Sequence, residues 1–325
     1  MRILANELAF PLLTEEECHA SHLTVTPEGE VLIAYFRGSR ESRPDVCIYG
    51  SRRSCDGVWG EPFPLSFGDS EPHWNPVFFE RRDGAIVLYY KAGGPISDWR
   101  TLYRVSYDGG HSFTEAEELV PGDASGGRGP VRNKPIYLRD GAILAPASVE
   151  RGEWWCFFDR STDEGKTFVK SRELHLPTAL LDAIEKPIVN RGLIQPTVFE
   201  SREGVHALLR SSEGWIFRTD SPDGIEWCDP YPTDMPNNNS GIDAVTLPDG
   251  RILLACNPVS GNWAPRTPMS LYVSEDNGRH FSLYSHLVTA PGRYDYPAMK
   301  YVDGKLHITY TYNRKSIQYF CLDEL

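Results

Sequence analysis

Long apolar runs are missing from this 325-residue chain: none approaches the roughly 18 residues that a membrane-spanning helix needs, so no membrane partner is expected. Positive charge is short as well. The 33 lysines and arginines face 45 aspartates and glutamates, a net charge of −12, which opposes general attraction to nucleic acid or anionic lipid. Cysteine is sparse, and the seven residues at 18, 47, 55, 156, 228, 256 and 321 form no CxxC pair. An odd set with that spacing excludes a disulfide framework and a zinc site, and points to a reducing compartment. There is no G-x-G-x-x-G after a strand and no P-loop, so no nucleotide or redox cofactor is implied, and no metal. Residues 1–13 hold one basic residue and an apolar stretch broken by Asn6 and Glu7, which is not the core of a secretory signal. A cytoplasmic chain, or one whose leader has been trimmed, fits this best. Helical periodicity is nearly absent, residues 179–186 being the best candidate.

What is present suits a folded, turn-rich protein: 28 glycines, 25 prolines, 12% aromatic and 40% hydrophobic residues. An acid-glycine pair followed by a short apolar run occurs six times, at Glu28-Gly29, Asp83-Gly84, Asp140-Gly141, Glu203-Gly204, Asp249-Gly250 and Asp303-Gly304. Each reads as a β-hairpin whose glycine supplies the positive φ of a tight turn. The glycines recur every 46 to 63 residues, a period that indicates an internal repeat filling the chain.

A second motif, S-x-D-x-G-x-x-aromatic, lies between the hairpins. It is complete at Ser106 to Phe113, Ser161 to Phe168 and Ser274 to Phe281, and one residue short at Ser221 to Trp227 and Ser54 to Trp59. Ser and Asp oxygens can bond backbone N–H groups across such a turn, and the aromatic can anchor it. One carboxylate per turn favours a structural role over calcium binding. Units of this size with two hairpins each predict four-stranded blades arranged radially, hence one all-β domain over 1–325, a six-bladed β-propeller. The sixth unit ends before a second motif, so segment 3–10 is expected to supply its outer strand and close the ring.

These turns are Asp-boxes, also called bacterial neuraminidase repeats, and the chain resembles the sialidase superfamily over nearly its whole length. In such a blade, residues just before the first strand or just after the second converge on the face opposite the Asp-boxes. That sorting selects His19, Arg37, Arg40, Glu41 and Asp45; His73, Asn75 and Lys91; Arg132, Lys134 and Glu150; Arg191, Gln195 and Arg210; Asn239, Asp243, Asn257, Trp263 and Arg266; and Tyr294, Tyr296, Tyr310 and Arg314. The set is rich in cations although the protein is acidic, which predicts an anionic small ligand such as a carboxylated sugar. Two members have plain structural alternatives: His73-Trp74-Asn75 as a turn that packs Trp74, and Lys134 as a partner for Glu150.

The resemblance implies roles. Sialidases hold the substrate carboxylate with three arginines, attack with a tyrosine activated by a glutamate, and protonate the leaving group with an aspartate. Arg266 and Arg210 stand where the third and second arginines belong, and Tyr296 where the nucleophile does. A tyrosine avoids the like-charge encounter that a carboxylate nucleophile would have with an anionic sugar. Glu41 and Asp45 both compete for the acid. The chain also departs from the pattern: Gln195 stands at the activating glutamate's position, and His19-Ala20-Ser21 replaces the motif of the first arginine, a cationic His19 being one substitute. Glu150 or Asp243 is a candidate to reach Tyr296. Three functions are thus in view. The first is exo-acting hydrolysis of a sialic-acid-like sugar. The second is a lyase on a uronic acid, with Gln195, Asn75 and arginines neutralising the carboxylate and His73 or a tyrosine taking the proton. The third is a non-catalytic carbohydrate-binding propeller that stacks sugars on Trp74, Trp99, Trp154 and Trp263.

Overall fold

Each acid-glycine turn forms as its chemistry requires: the six glycines have φ between 76° and 131°, and each joins the first two strands of a repeat. A computed structural model describes residues 1–68 and 70–325. Among the described residues it is all-β apart from a 3₁₀ turn at Ile96–Asp98 and one short helix, Thr178–Ala183, which overlaps the stretch 179–186 that best fitted a helix in the sequence. The chain groups into two compact units, one of residues 1–122 with 292–325, the other of residues 123–291.

The first unit holds three antiparallel sheets of four strands. In sequence order they begin with Glu17–Val25, His73–Glu80 and Tyr294–Val302, each followed by its hairpin partner Val31–Gly38, Ile86–Ala92 or Lys305–Tyr312. The last sheet takes its outermost strand from the N-terminus: Arg2–Leu8 pairs antiparallel with Ser316–Asp323. Strands near the sheet centre are buried along most of their length, whereas this outer one is largely exposed. Between the first and last sheets a core forms from Phe10, Leu23, Ile33, Tyr35, Ile317 and Tyr319.

The second unit holds a four-stranded sheet, from Asp243–Thr246 to Ser282–Val288, and one eight-stranded sheet. The latter is two repeats fused. The half that ends with Glu153–Ser161 and Val169–Lys170 joins the half that begins at Arg191–Ser201 through a short parallel bridge, Glu153 with Arg191 and Trp154 with Gly192. A Cβ on Gly192 would lie 2.1 Å from the Trp154 carbonyl oxygen, so only glycine lets the two backbones approach this closely. Six repeats therefore appear as five sheets, none closed on itself, where the sequence predicts six separate blades.

The Asp-boxes repeat one hydrogen-bond pattern. Ser106 Oγ donates to Asp108 Oδ1 (2.8 Å) and accepts from Gly110 N (2.8 Å), while Asp108 Oδ1 accepts from Ser112 N (2.9 Å). Ser161 with Asp163, and Ser274 with Asp276, reproduce these bonds to within 0.1 Å. In the shortened copy Trp227 stacks on Phe158 with centroids 3.9 Å apart, so the aromatic does anchor the turn. Among the described residues there is no group of three or more His, Cys, Asp or Glu side chains able to hold a metal, and no helix long and apolar enough to cross a membrane.

Candidate functional site

The first strand of four repeats carries a register shift near its start: between His19 and His22, Trp74 and Val77, Ile194 and Thr197, and Asp295 and Ala298. At each shift a non-glycine residue is left-handed: Ala20 (φ 56°), Asn75 (44°), Gln195 (52°) and Tyr296 (57°). Asn239, shortly before the first strand of the four-stranded sheet in the second unit, has φ 55°. Each such residue costs about 1–3 kcal/mol, and bulges of this kind re-aim a side chain. Proline follows three of the five, at Pro76, Pro196 and Pro297, and disfavours the right-handed alternative for the residue before it.

In the first unit, Tyr296 lies against His19, ring centroids 4.2 Å apart and planes tilted by 35°. His19 Nδ1 is 2.9 Å from Thr311 Oγ1 and 3.3 Å from Asp295 Oδ1, and Arg293 Nε donates to the other oxygen of Asp295 at 2.9 Å. Burial, reinforced by the Arg314 charge, pulls the His19 pKa down to about 3 in spite of Asp295. His19 is therefore neutral at pH 7, and the expectation that it stands in for an arginine as a cation is corrected: it braces the Tyr296 ring instead.

Glu41 Oε2 pairs with Arg314 Nη1 at 2.6 Å. Asp45 closes the loop 39–45, accepting from Ser39 N (2.6 Å) and Ser39 Oγ (2.9 Å), and these bonds hold its carboxyl below the usual carboxylate range. That is the wrong direction for a proton donor. Arg37 pairs with Glu16 at 2.5 Å, its guanidinium 5.1 Å from the Tyr49 ring. His73 Nδ1 bonds Ser66 Oγ (2.7 Å), and Lys91 donates to Thr101 Oγ1 (2.5 Å) with no exposed surface. Trp74 packs inside and donates to the Gly93 carbonyl at 2.9 Å, as the structural reading of that turn supposed; it and Trp99 are too buried to be sugar platforms. Asn75 is also buried, and its side-chain amide makes no hydrogen bond among the described residues. Tyr310 sits between Tyr294 and Phe320, and burial raises its pKa far above the ordinary tyrosine value.

In the second unit a chain of polar side chains centres on Arg210, which is 2% exposed. Its Nε donates to Asn239 Oδ1 and its Nη1 to Gln195 Oε1, both at 2.8 Å. The chain continues outward on each side: Gln195 Nε2 donates to Glu150 Oε1 at 3.3 Å, and Asn239 Nδ2 to Asn262 Oδ1 at 2.7 Å. The Arg210 and Arg266 guanidiniums lie 5.9 and 6.0 Å from the centre of one indole, that of Trp263. Guanidiniums bond carboxylates in a two-pronged geometry, so both side chains are chemically suited to an anionic ligand at this ring. Trp263 is 57% exposed and meets the buried Trp154 edge to face at 6.5 Å.

Lys134 Nζ donates to both oxygens of Asp243 at 2.8 Å and to the Ala244 carbonyl at 3.0 Å. Asp243 thus holds Lys134, a partner the sequence reading did not assign to it, and Asp243 also accepts from Thr197 Oγ1 at 2.9 Å. Sequence reasoning missed Asn262, Thr311 and Arg293, which orient the groups above. It also passed over a visible signal, the run Asn237 to Ser240, four consecutive polar residues with no exposed surface.

The fold and these turns define a sialidase-like all-β protein. The BNR repeat-like domain model matches residues 29–308, and the chain belongs to that family. A search of curated proteins gives no match. Among solved structures, the chain is similar to a protein of unknown function from Dyadobacter fermentans (TM-score 0.76, 15% identity, 99% of this chain and 98% of that one). It is similar also to the Hadza microbial sialidase Hz136 (0.73, 16%, 95% and 66%) and to the NanB sialidase from Streptococcus pneumoniae (0.70, 13%, 97% and 71%). Identities this low establish the shared fold, and the chain spans about two thirds of those sialidase chains.

Proposed function

We propose that the protein is an exo-acting glycoside hydrolase of sialidase type, removing a terminal carboxylated sugar from an oligosaccharide. The observation that carries this reading is the meeting of Arg210 and Arg266 at the Trp263 ring, a cationic grip in an acidic protein. In it the two arginines take the carboxylate, and Tyr296 attacks the anomeric carbon as the glycosidic bond breaks. Its phenolic proton passes to a carboxylate, Glu150 and Asp243 being the candidates, and water then releases the sugar from the tyrosine. Glu41 or Asp45 protonates the leaving oxygen, each first having to leave its present partner, Arg314 for Glu41 and Ser39 for Asp45. The left-handed backbone at Tyr296 and its packing on His19 support a fixed nucleophile. The six repeats and the sialidase-like fold support the finer architectural reading too, six blades of a closed propeller with the eight-stranded sheet counted as two. In a cytoplasmic setting the substrate is a short imported oligosaccharide.

The test is incubation with a panel of sialosides and uronate oligosaccharides, read by mass spectrometry for addition of water. Tyr296→Phe is expected to lower turnover by about a thousandfold or more while carboxylate binding changes a few-fold. Near-normal turnover in that variant would exclude the mechanism. A second reading, elimination across a uronic acid, is favoured by Asn75, whose amide is left without a hydrogen bond among the described residues. An unsaturated product, with no water added, would select it. Unchanged ligand throughout would leave carbohydrate binding at Trp263.

A further inference from the structure

A second polar cluster lies in the second unit, on residues with no part in sugar cleavage. His206 and Asp220 face each other across the register of Gly204–Ser211 and Trp215–Ser221, and Ser201 ends the strand on the other side of His206. Ser201 Oγ is 2.9 Å from His206 Nε2, and His206 Nδ1 is 2.5 Å from Asp220 Oδ1. Arg218 Nε also donates to Asp220 Oδ1, at 2.9 Å, and the Tyr231 hydroxyl to Oδ2 at 2.6 Å. Burial opposes ionisation of Asp220, but its bonds to His206, Arg218 and Tyr231 outweigh it and hold the carboxyl well below the usual range. An ionised oxygen at 2.5 Å requires a hydrogen on Nδ1, and the Asn277 Nδ2 donor 3.1 Å from Nε2 requires a lone pair there. Arg218 Nη2, 2.9 Å from Nδ1, pairs with Asp220 at 2.8 Å. In that tautomer the Ser201 hydroxyl donates to Nε2, while the Glu203 N–H donates to the Ser201 oxygen at 3.0 Å. His206 is buried, but Ser201 lines an open groove of about 820 Å³ whose walls include Glu203, Asn277 and Arg279.

We propose that Ser201, His206 and Asp220 form a hydrolytic site for a short carboxylic ester, on residues distinct from Arg210, Arg266 and Tyr296. A hydroxyl nucleophile needs a base within hydrogen-bond reach and a third group that orients the base, and these three side chains meet both requirements. Ser201 Oγ bonds to the ester carbonyl carbon while its proton passes to His206 Nε2. The imidazolium then protonates the leaving alkoxide as the C–O bond breaks. Water, deprotonated by His206, attacks the acyl-serine, and the carboxylic acid leaves as the proton returns to Ser201 Oγ. Asp220 stays ionised throughout and steadies the imidazolium, and the Asn277 amide N–H is the donor at hand for the oxyanion. The groove walls carry charges of both signs, Glu203 pairing with Arg279 and Asp249 with Arg251. Such walls suit a short acyl group on a hydroxyl-rich alcohol rather than a long acyl chain.

The test incubates the full chain with p-nitrophenyl acetate and, separately, with a fluorophosphonate probe whose adduct is located by peptide mass spectrometry. Wild type is expected to release p-nitrophenol above the buffer rate and to carry the adduct on Ser201. Ser201→Ala should lower the protein-dependent rate about a hundredfold or more and abolish the labelling, with melting within a few degrees of wild type. A rate in Ser201→Ala within about threefold of wild type, or no release above buffer by wild type, would overturn the proposal. Should the variant fail to fold, the wild-type adduct decides alone: found on Ser201 it supports the site, and found on another residue or absent it overturns it. Sialosides take no part in this assay, so its failure and the failure of the sugar-cleaving reading are told apart.

Discussion

The Asp-box turns and the bulges on the first strands are both repeated features, and they repeat in opposite ways. The three complete Asp-boxes keep their side chains and hydrogen bonds nearly identical, down to a serine-aspartate contact of 2.7 or 2.8 Å. The left-handed positions keep the backbone, with φ from 44° to 57°, and vary the side chain, four types over five positions: Ala, Asn, Gln, Asn and Tyr. A constant side chain on a constant backbone is what a structural fastener needs. A varied side chain on a constant, strained backbone is what a binding site built from repeated parts needs.

Substitutions at the two places should divide accordingly. After Tyr296→Phe the largest effect belongs to Arg210→Lys, at the side chain that the left-handed Gln195 and Asn239 hold, which removes the two-pronged geometry of the guanidinium: KM for a carboxylated substrate should rise about 10- to 100-fold. A KM within twofold of wild type would place the site elsewhere. Next comes the acid limb of stability, measured by melting from pH 8 to pH 2. Burial lowers the pKa of His19 to about 3 and of His307 to about 4, so the unfolded chain takes up these protons first, near pH 6.5. Stability should therefore begin to fall below about pH 6.5, with a slope that His19→Gln and His307→Gln reduce. A second loss should follow below about pH 4. There the Thr167 hydroxyl and backbone bonds that hold Asp163 to a pKa of about 2, and like bonds at Asp108, give way as the carboxylates protonate. A flat profile between pH 6.5 and 4 would contradict the burial of those histidines.

Asp108→Ala should lower the melting temperature by about 2–4 °C and leave kcat/KM alone, the signature of a fastener. Loss of activity without loss of stability would erase the distinction between fastener and site. The smallest effect is expected at Ala20→Gly, where glycine relieves a left-handed backbone at φ 56° and no functional side chain is lost: a rise of about 1–2 °C, read by calorimetry.

The hairpins and Asp-boxes were legible in the sequence because each is complete within eight residues, and spacing alone carries it. The bulges were legible in part. Asn75-Pro76, Gln195-Pro196 and Tyr296-Pro297 mark three of them, but no residue type encodes a positive φ at Ala20. What stayed hidden is pairing over distance. Lys134 and Asp243 are 109 positions apart, and nothing local in the sequence points from one to the other. The charge of His19 was hidden for the same reason, since its pKa is set by how completely the fold encloses it.

The pairing of Arg2–Leu8 with Ser316–Asp323 has a temporal side. Registered partners such as Glu7 and Tyr319 stand more than three hundred residues apart, so a strand synthesised long before its partner is among the last to find its place. Until it arrives, the terminal sheet presents a bare edge to neighbouring chains. Newly made protein that lacks residues 2–8 should cluster with rising concentration.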